Sequence, residues 1–98
     1  MDDSLKKILL WMLHRHIVGH KHFPEKLAIS PRLKHLPKYL HQSFYKEYEE
    51  LIVQGYFIRL KKRTGKGSGW HISINPETIE EIKILIGDDD EDAYRDLL

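Results

Sequence analysis

Arg59, Lys61, Lys62, Arg63 and Lys66 fall within eight consecutive positions, and no acid occurs between Glu50 and Glu77. Cations this dense suit phosphate, because each phosphate neutralised by Lys or Arg releases bound counterions. Thr64 adds a hydroxyl to the run. Gly65, Gly67 and Gly69 interleave with it, so backbone amides can approach a phosphate closely. Tyr56 and Trp70 flank the run, placed either to stack on a ligand or to pack. A soluble hairpin also protects its edge with lysines, so charge alone does not identify the ligand.

A second group lies upstream. Gln42, Ser43, Tyr45 and Lys46 occupy the first turn of a helix expected over residues 43–54. Gln pairs with adenine, and Lys with guanine or phosphate. In helix-turn-helix docking, the N-terminal part of the second helix meets base edges. Glu47, Glu49 and Glu50 follow and repel a phosphate backbone. Either only the first turn enters a groove, or this helix stays out. Lys34, His35 and Lys38 precede it, as phosphate anchors or as a solvated loop.

Other chemistry finds little support. The chain has no cysteine, which removes disulfides, thiolate zinc sites and a cysteine nucleophile. His14 and His16, two apart on a helix, point in different directions. His20 and His22 sit in a loop and can chelate, but only Glu25 lies nearby to complete a tetrahedral set. No metal or other cofactor is expected. The more natural role for histidines in a basic body is to gain protons near phosphates, which predicts tighter DNA binding at pH 6 than at pH 8. The GKGSG segment sits in a hairpin, whereas the lysine of a phosphate-binding loop must open a helix. The acidic run 88–92 lacks the glycine and distal glutamate of a calcium loop. Enzymatic activity is not expected.

The 98 residues make one domain, 41% hydrophobic and 32% charged, with net charge +1. That balance hides an asymmetry. Residues 4–76 hold fourteen Lys/Arg against four acids, and residues 77–98 hold nine acids against two cations. A basic body with an acidic tail points to a polyanionic partner, or to a solvated surface. No apolar run is long enough for a membrane span. The MDDSLKK start has acids where a signal peptide carries its positive segment, so a cytoplasmic location is expected.

The elements that must position these residues are readable in part. Leu5, Ile8, Leu9, Met12, Leu13 and Ile17 recur at helical spacing and predict a helix over 3–18, stopped by Gly19. Pro24, Pro31 and Pro37 exclude a long helix over 20–36. A short one opens either at Ser30-Pro31 or at Pro37, and both stay open. His41 and Gln42 are expected as the turn before the helix over 43–54. Phe44, Tyr48, Leu51 and Ile52 share a face of that helix, and Gly55 stops it. Alternation predicts strands over 56–60 and 70–74, joined by a glycine-rich turn into a hairpin. Asn75 caps a last helix over 76–86. Residues 1–87 are the expected domain, and 88–98 an acidic, mobile tail.

Helix, short helix, turn, helix and hairpin is the winged-helix order, an α+β fold. At this point the chain resembles a group of small archaeal winged-helix proteins predicted to bind DNA, over about residues 19–76. The likeness rests on Leu36-Pro37-Lys38-Tyr39-Leu40, Glu50-Leu51-Ile52 and Gly55-Tyr56-Phe57-Ile58. It continues through Lys62-Arg63-Thr64-Gly65 with Gly67, and His71-Ile72-Ser73-Ile74-Asn75-Pro76. The resemblance implies a winged-helix fold and DNA binding, and no reaction. Such proteins often carry a basic residue and a glycine where this chain has His41 and Gln42, and a proline where it has Arg63.

The expectation is therefore a DNA-binding winged-helix transcription regulator. It would use a recognition helix at 43–54 and a basic wing at 59–70 on double-stranded DNA. The alternative is a winged-helix module for protein or RNA. If the chain forms a homodimer, the apolar residues of the first and last helices are the expected surface.

Overall fold

The computed structural model describes residues 3–64 and 67–87, without the side chains of Thr64, Gly67 and Ser68. Helix α1 (Asp3–His14) forms because Leu5, Ile8, Leu9, Met12 and Leu13 make one stripe, and all five are buried. It ends at His14, about a turn earlier than expected, and His16 stops it in place of Gly19. His16 takes a left-handed φ of 55°. Its N–H donates to the Leu13 carbonyl, and the Ile17 N–H reaches back to Met12. These two bonds make a Schellman cap with histidine where glycine usually sits. Ile17 and Val18, both β-branched, turn instead to the sheet. The Ile17 carbonyl accepts from the Ile74 N–H, and the Gly19 N–H donates to the Ile74 carbonyl.

Strand β1 (Phe23–Pro24) is only two residues long and was not expected. It is an edge strand, where proline is tolerated. Helix α2 (Glu25–Leu33) follows directly, so Ser30 and Pro31 lie inside a helix and do not open one. Pro31 leaves the Leu27 carbonyl without its i+4 amide. The helix survives because Ala28 and Ile29 are buried and it ends two residues later. After Pro37 a 3-10 turn, Lys38–Leu40, leads without a break into α3 (His41–Val53). His41 and Gln42 are therefore helical, a correction to the expected turn. Gly55, at φ 87°, ends α3 by the same cap as α1: its N–H donates to Ile52, and the Tyr56 N–H to Leu51.

Strands β2 (Phe57–Thr64) and β3 (Gly67–Ile74) are longer than alternation of apolar residues suggested. The segment expected as a long turn is mostly strand, paired from Phe57↔Ile74 to Thr64↔Gly67. The sheet is antiparallel, ordered β1-β3-β2. Asn75 closes it. Its side-chain oxygen accepts from the Glu77 N–H, and its side-chain amide donates to the Gly55 carbonyl. A 3-10 turn, Pro76–Thr78, then opens α4 (Ile79–Ile86).

The described residues thus form an α+β unit of four helices and a three-stranded antiparallel sheet. Phe44, Leu5, Leu9, Met12, Ile72, Ile74 and Ile82 are fully enclosed at its centre. Each such side chain contributes about 1.5–3 kcal/mol by leaving water. Phe44, Tyr48 and Phe57 bind α3 to β2 through ring contacts. The apolar stripe of α1 belongs to this core and is not a free dimer surface. On α4, Ile84 and Leu85 stay exposed. Among the described residues, no helix is long and apolar enough to cross a membrane. The acidic tail, 88–98, lies outside the described residues.

Candidate nucleic-acid interface

The strand register sorts the basic run onto two faces. Directly paired residues share a face of an antiparallel sheet. Phe57, Ile72 and Ile74 are buried against the helices, and Arg59↔Ile72, Lys61↔Trp70 and Arg63↔Ser68 follow on that same face. Lys62 lies between them and faces the opposite way, with His71 and Leu60. One linear cluster is thus divided. Lys61, Arg63 and Trp70 extend the helix-facing side, and Lys62 sits on the outer side. Lys61, Lys62 and Arg63 are all exposed. Lys66 and the side chain of Thr64 lie outside the described residues.

Arg59, expected as a phosphate contact, is engaged inside the chain. Its Nε and Nη2 donate to the two carboxylate oxygens of Glu25, at 2.5 and 3.1 Å. Its guanidinium lies 3.9 Å from the centroid of the Trp70 ring. The Tyr48 hydroxyl donates to the same carboxylate at 2.6 Å. Glu25 is the first residue of α2, where the helix dipole favours an anion. Burial opposes its charge, but the bonds from Arg59 and Tyr48 and the guanidinium's charge outweigh it and hold its carboxyl below the usual range. Burial and the same carboxylate push the Tyr48 hydroxyl well above the ordinary tyrosine range. The bond to Glu25 raises Arg59 further, so its charge is permanent. This network fastens the base of the hairpin to the start of α2 and the middle of α3. Its members lie 23 and 34 residues apart, and no local pattern marks them.

At the α2–α3 corner, His41 holds the turn. Its Nε2 lies 2.8 Å from the Leu36 carbonyl and 3.1 Å from the Leu33 carbonyl. The ring thus donates to the Leu36 carbonyl past the end of α2 and adds a second donor to the Leu33 carbonyl, which also accepts from the Leu36 N–H. Gln42, Tyr45 and Lys46 are exposed on the first turns of α3. Ser43 is exposed too, and its hydroxyl donates to Leu40. Lys34 and Lys38 are exposed beside them. Tyr39 is 81% exposed in the 3-10 turn, a contact candidate that was not singled out in the sequence. Further along α3, Glu49, Glu50 and Val53 face solvent, opposite the buried Phe44, Tyr48 and Leu51.

The histidines divide as well. His22 and His71 meet on the outer face, Nδ1 to Nδ1 at 3.1 Å. Desolvation, His22 and Lys62 together hold His71 below its ordinary value. His71 therefore resists protonation, which runs against the expected gain of protons by histidines. Among the described residues, no three His, Cys, Asp or Glu side chains converge as a metal site. Glu25, the acid considered for such a site, is occupied by Arg59 and Tyr48.

No protein-family model, curated protein or solved structure significantly matches this chain.

Proposed function

We propose that this chain is a winged-helix protein that binds duplex DNA and regulates transcription, with α2 and α3 as the helix-turn-helix and β2–β3 as the wing. The observation that carries the proposal is one of placement. Lys34 and Lys38 are exposed in the segment that leads into α3, and Lys46 is exposed on α3 itself. Exposed Lys61 and Arg63 continue the helix-facing side of the hairpin, which Glu25 fastens to α2 and α3. Gln42, Ser43, Tyr45 and Lys46 read base edges from the first turns of α3, and the wing holds phosphates. Arg59 keeps the wing in place, and Lys61 and Arg63 make its contacts. The archaeal winged-helix proteins that the sequence resembles support the same reading.

The exposed Glu49 and Glu50 favour a second reading, a winged-helix module that binds protein or RNA. One titration separates the two. Labelled random duplex DNA is followed by anisotropy at several salt concentrations. DNA binding predicts a steep fall in affinity with salt, the slope dropping by about 1 for each phosphate-contacting lysine removed. Absence of binding at low salt would overturn the DNA reading.

A further inference from the structure

The face of the sheet turned away from the helices carries a pair of imidazoles that DNA binding does not use. His22 leads into β1, and His71 lies in β3. Their strands are paired at Phe23↔Ile72 and Pro24↔His71, so backbone register brings the two rings together. The Nδ1 atoms are 3.1 Å apart, and the rings stand nearly perpendicular at 85°. A hydrogen bond at that distance needs one Nδ1 protonated and the other bare. Moving that proton to Nε2 of its own ring, the other neutral tautomer, leaves a lone pair on each of the two neighbouring Nδ1 atoms.

The spacing suits an ion. With metal–nitrogen bonds of about 2.0–2.1 Å, nitrogens 3.1 Å apart subtend about 95–102° at a shared metal. That lies between square-planar and tetrahedral angles. We infer that His22 and His71 form a bidentate site for a borderline transition-metal ion, Cu(II), Ni(II) or Zn(II), with water in the remaining positions.

Three observations define its character. No third His, Cys, Asp or Glu among the described residues completes the set, so the site is open. A groove lined by Gly19, His20, His22, Ile58, Leu60 and Glu77 adjoins it, leaving room for water or an exogenous ligand. Lys62 shares the face with His71 and repels a cation. Imidazole nitrogens prefer these ions over the hard Mg(II) and Ca(II), and Cu(II) binds tightest in the usual order. Neutral imidazole is the ligand form, so binding weakens as pH falls. An ion here ties the segment before α2 to the wing strand.

The test uses the full chain, treated with chelator and titrated at pH 7.5 with Cu(II), Ni(II) or Zn(II) chlorides by calorimetry, alongside thermal melts. The expected result is one saturable site per chain, tightest for Cu(II), with a raised melting temperature. His22→Asn and His71→Asn each weaken it at least tenfold, and Lys62→Ala tightens it. His14→Asn, exposed at the end of α1, leaves it unchanged. Circular dichroism checks that each variant folds, and His22→Asn alone decides if His71→Asn does not. Binding by His22→Asn equal to the parent, or no saturable binding at millimolar metal, overturns the site.

Discussion

Glu25 and Arg59 form a two-point ion pair that joins the first residue of α2 to the hairpin strand β2. The pair is only partly buried, with side chains 18% and 32% exposed. Solvent therefore discounts its worth. Glu25→Ala removes three charge-assisted hydrogen bonds, counting that of Tyr48, and is expected to destabilise by about 1–2 kcal/mol. Urea denaturation of Glu25→Ala, Arg59→Ala and the double variant measures the coupling. Additive losses would remove the pair as a stabilising contact. Glu25→Gln also frees the Arg59 charge, so it should tighten DNA binding and steepen its salt dependence, even as it weakens the fold.

The same pair sets an acid limit. The Glu25 carboxyl sits below its ordinary value of 4.5 in the folded chain. A depressed folded pKa means that the unfolded chain takes up the proton first. The contribution to stability is present above the unfolded value and is lost as pH falls through the folded one. The stability gap between the parent chain and Glu25→Gln should therefore be constant from pH 7 to about pH 5 and close below pH 4. Urea midpoints across that range test it. A gap that widens in acid would reverse the assignment.

The division of the basic run by strand register makes a sharper prediction than its total charge. Lys61→Ala and Arg63→Ala should each lower the salt slope of DNA binding by about 1. Lys62→Ala, on the outer face with His71, should leave the slope nearly unchanged. Arg59→Ala should lower affinity mainly through stability, since its guanidinium is held by Glu25 and Trp70. Equal effects of Lys61→Ala and Lys62→Ala would mean that the wing tip, and not one face, meets the phosphates.

These distinctions mark where sequence stops informing. The core of α1, the body of α3 and the hairpin were legible because their signals are periodic and local. Leu5, Ile8, Leu9, Met12 and Leu13 need only one another to announce a helix. Strand β1 has two residues, too few for any period, and one of them is Pro24. The start of α2 was displaced because Ser30-Pro31 is a good local cap signal, overridden by burial of Ala28 and Ile29. The length of β2 was missed because its outer half is Lys61, Lys62, Arg63 and Thr64, with no apolar alternation. At the candidate site, residue types were visible and their directions were not. Arg59 and Lys61 look alike in sequence, and only tertiary contact with Glu25 separates them.

His71 supplies a pH test of the outer face. Burial, His22 and Lys62 keep it neutral below its ordinary value of 6.5. An unfolded chain binds that proton more readily, so the stability linked to neutral His71 is present above 6.5 and is lost as pH falls through the lower folded value. The parent chain should lose stability between pH 7 and pH 5, and His71→Asn should lose less. Proton NMR of the imidazole ring should show His71 titrating below the ordinary histidine value of 6.5. Titration of His71 at or above 6.5 would remove the effect of burial, His22 and Lys62.

His41 offers the clearest probe of the helix corner. Its ring donates to the Leu33 and Leu36 carbonyls, between the end of α2 and the start of α3. His41→Ala removes the imidazole donor from the Leu36 carbonyl and one of two donors from the Leu33 carbonyl, and should cost about 1 kcal/mol. It should also lower DNA affinity, because Lys34, Lys38 and the first turns of α3 are set at that corner. Tyr39→Ala is the matched control, since Tyr39 is 81% exposed and contributes little to the fold. It should leave the melting temperature within about a degree and still weaken DNA binding. If Tyr39→Ala binds as the parent does while His41→Ala binds less, the corner acts through geometry alone and Tyr39 does not touch the ligand.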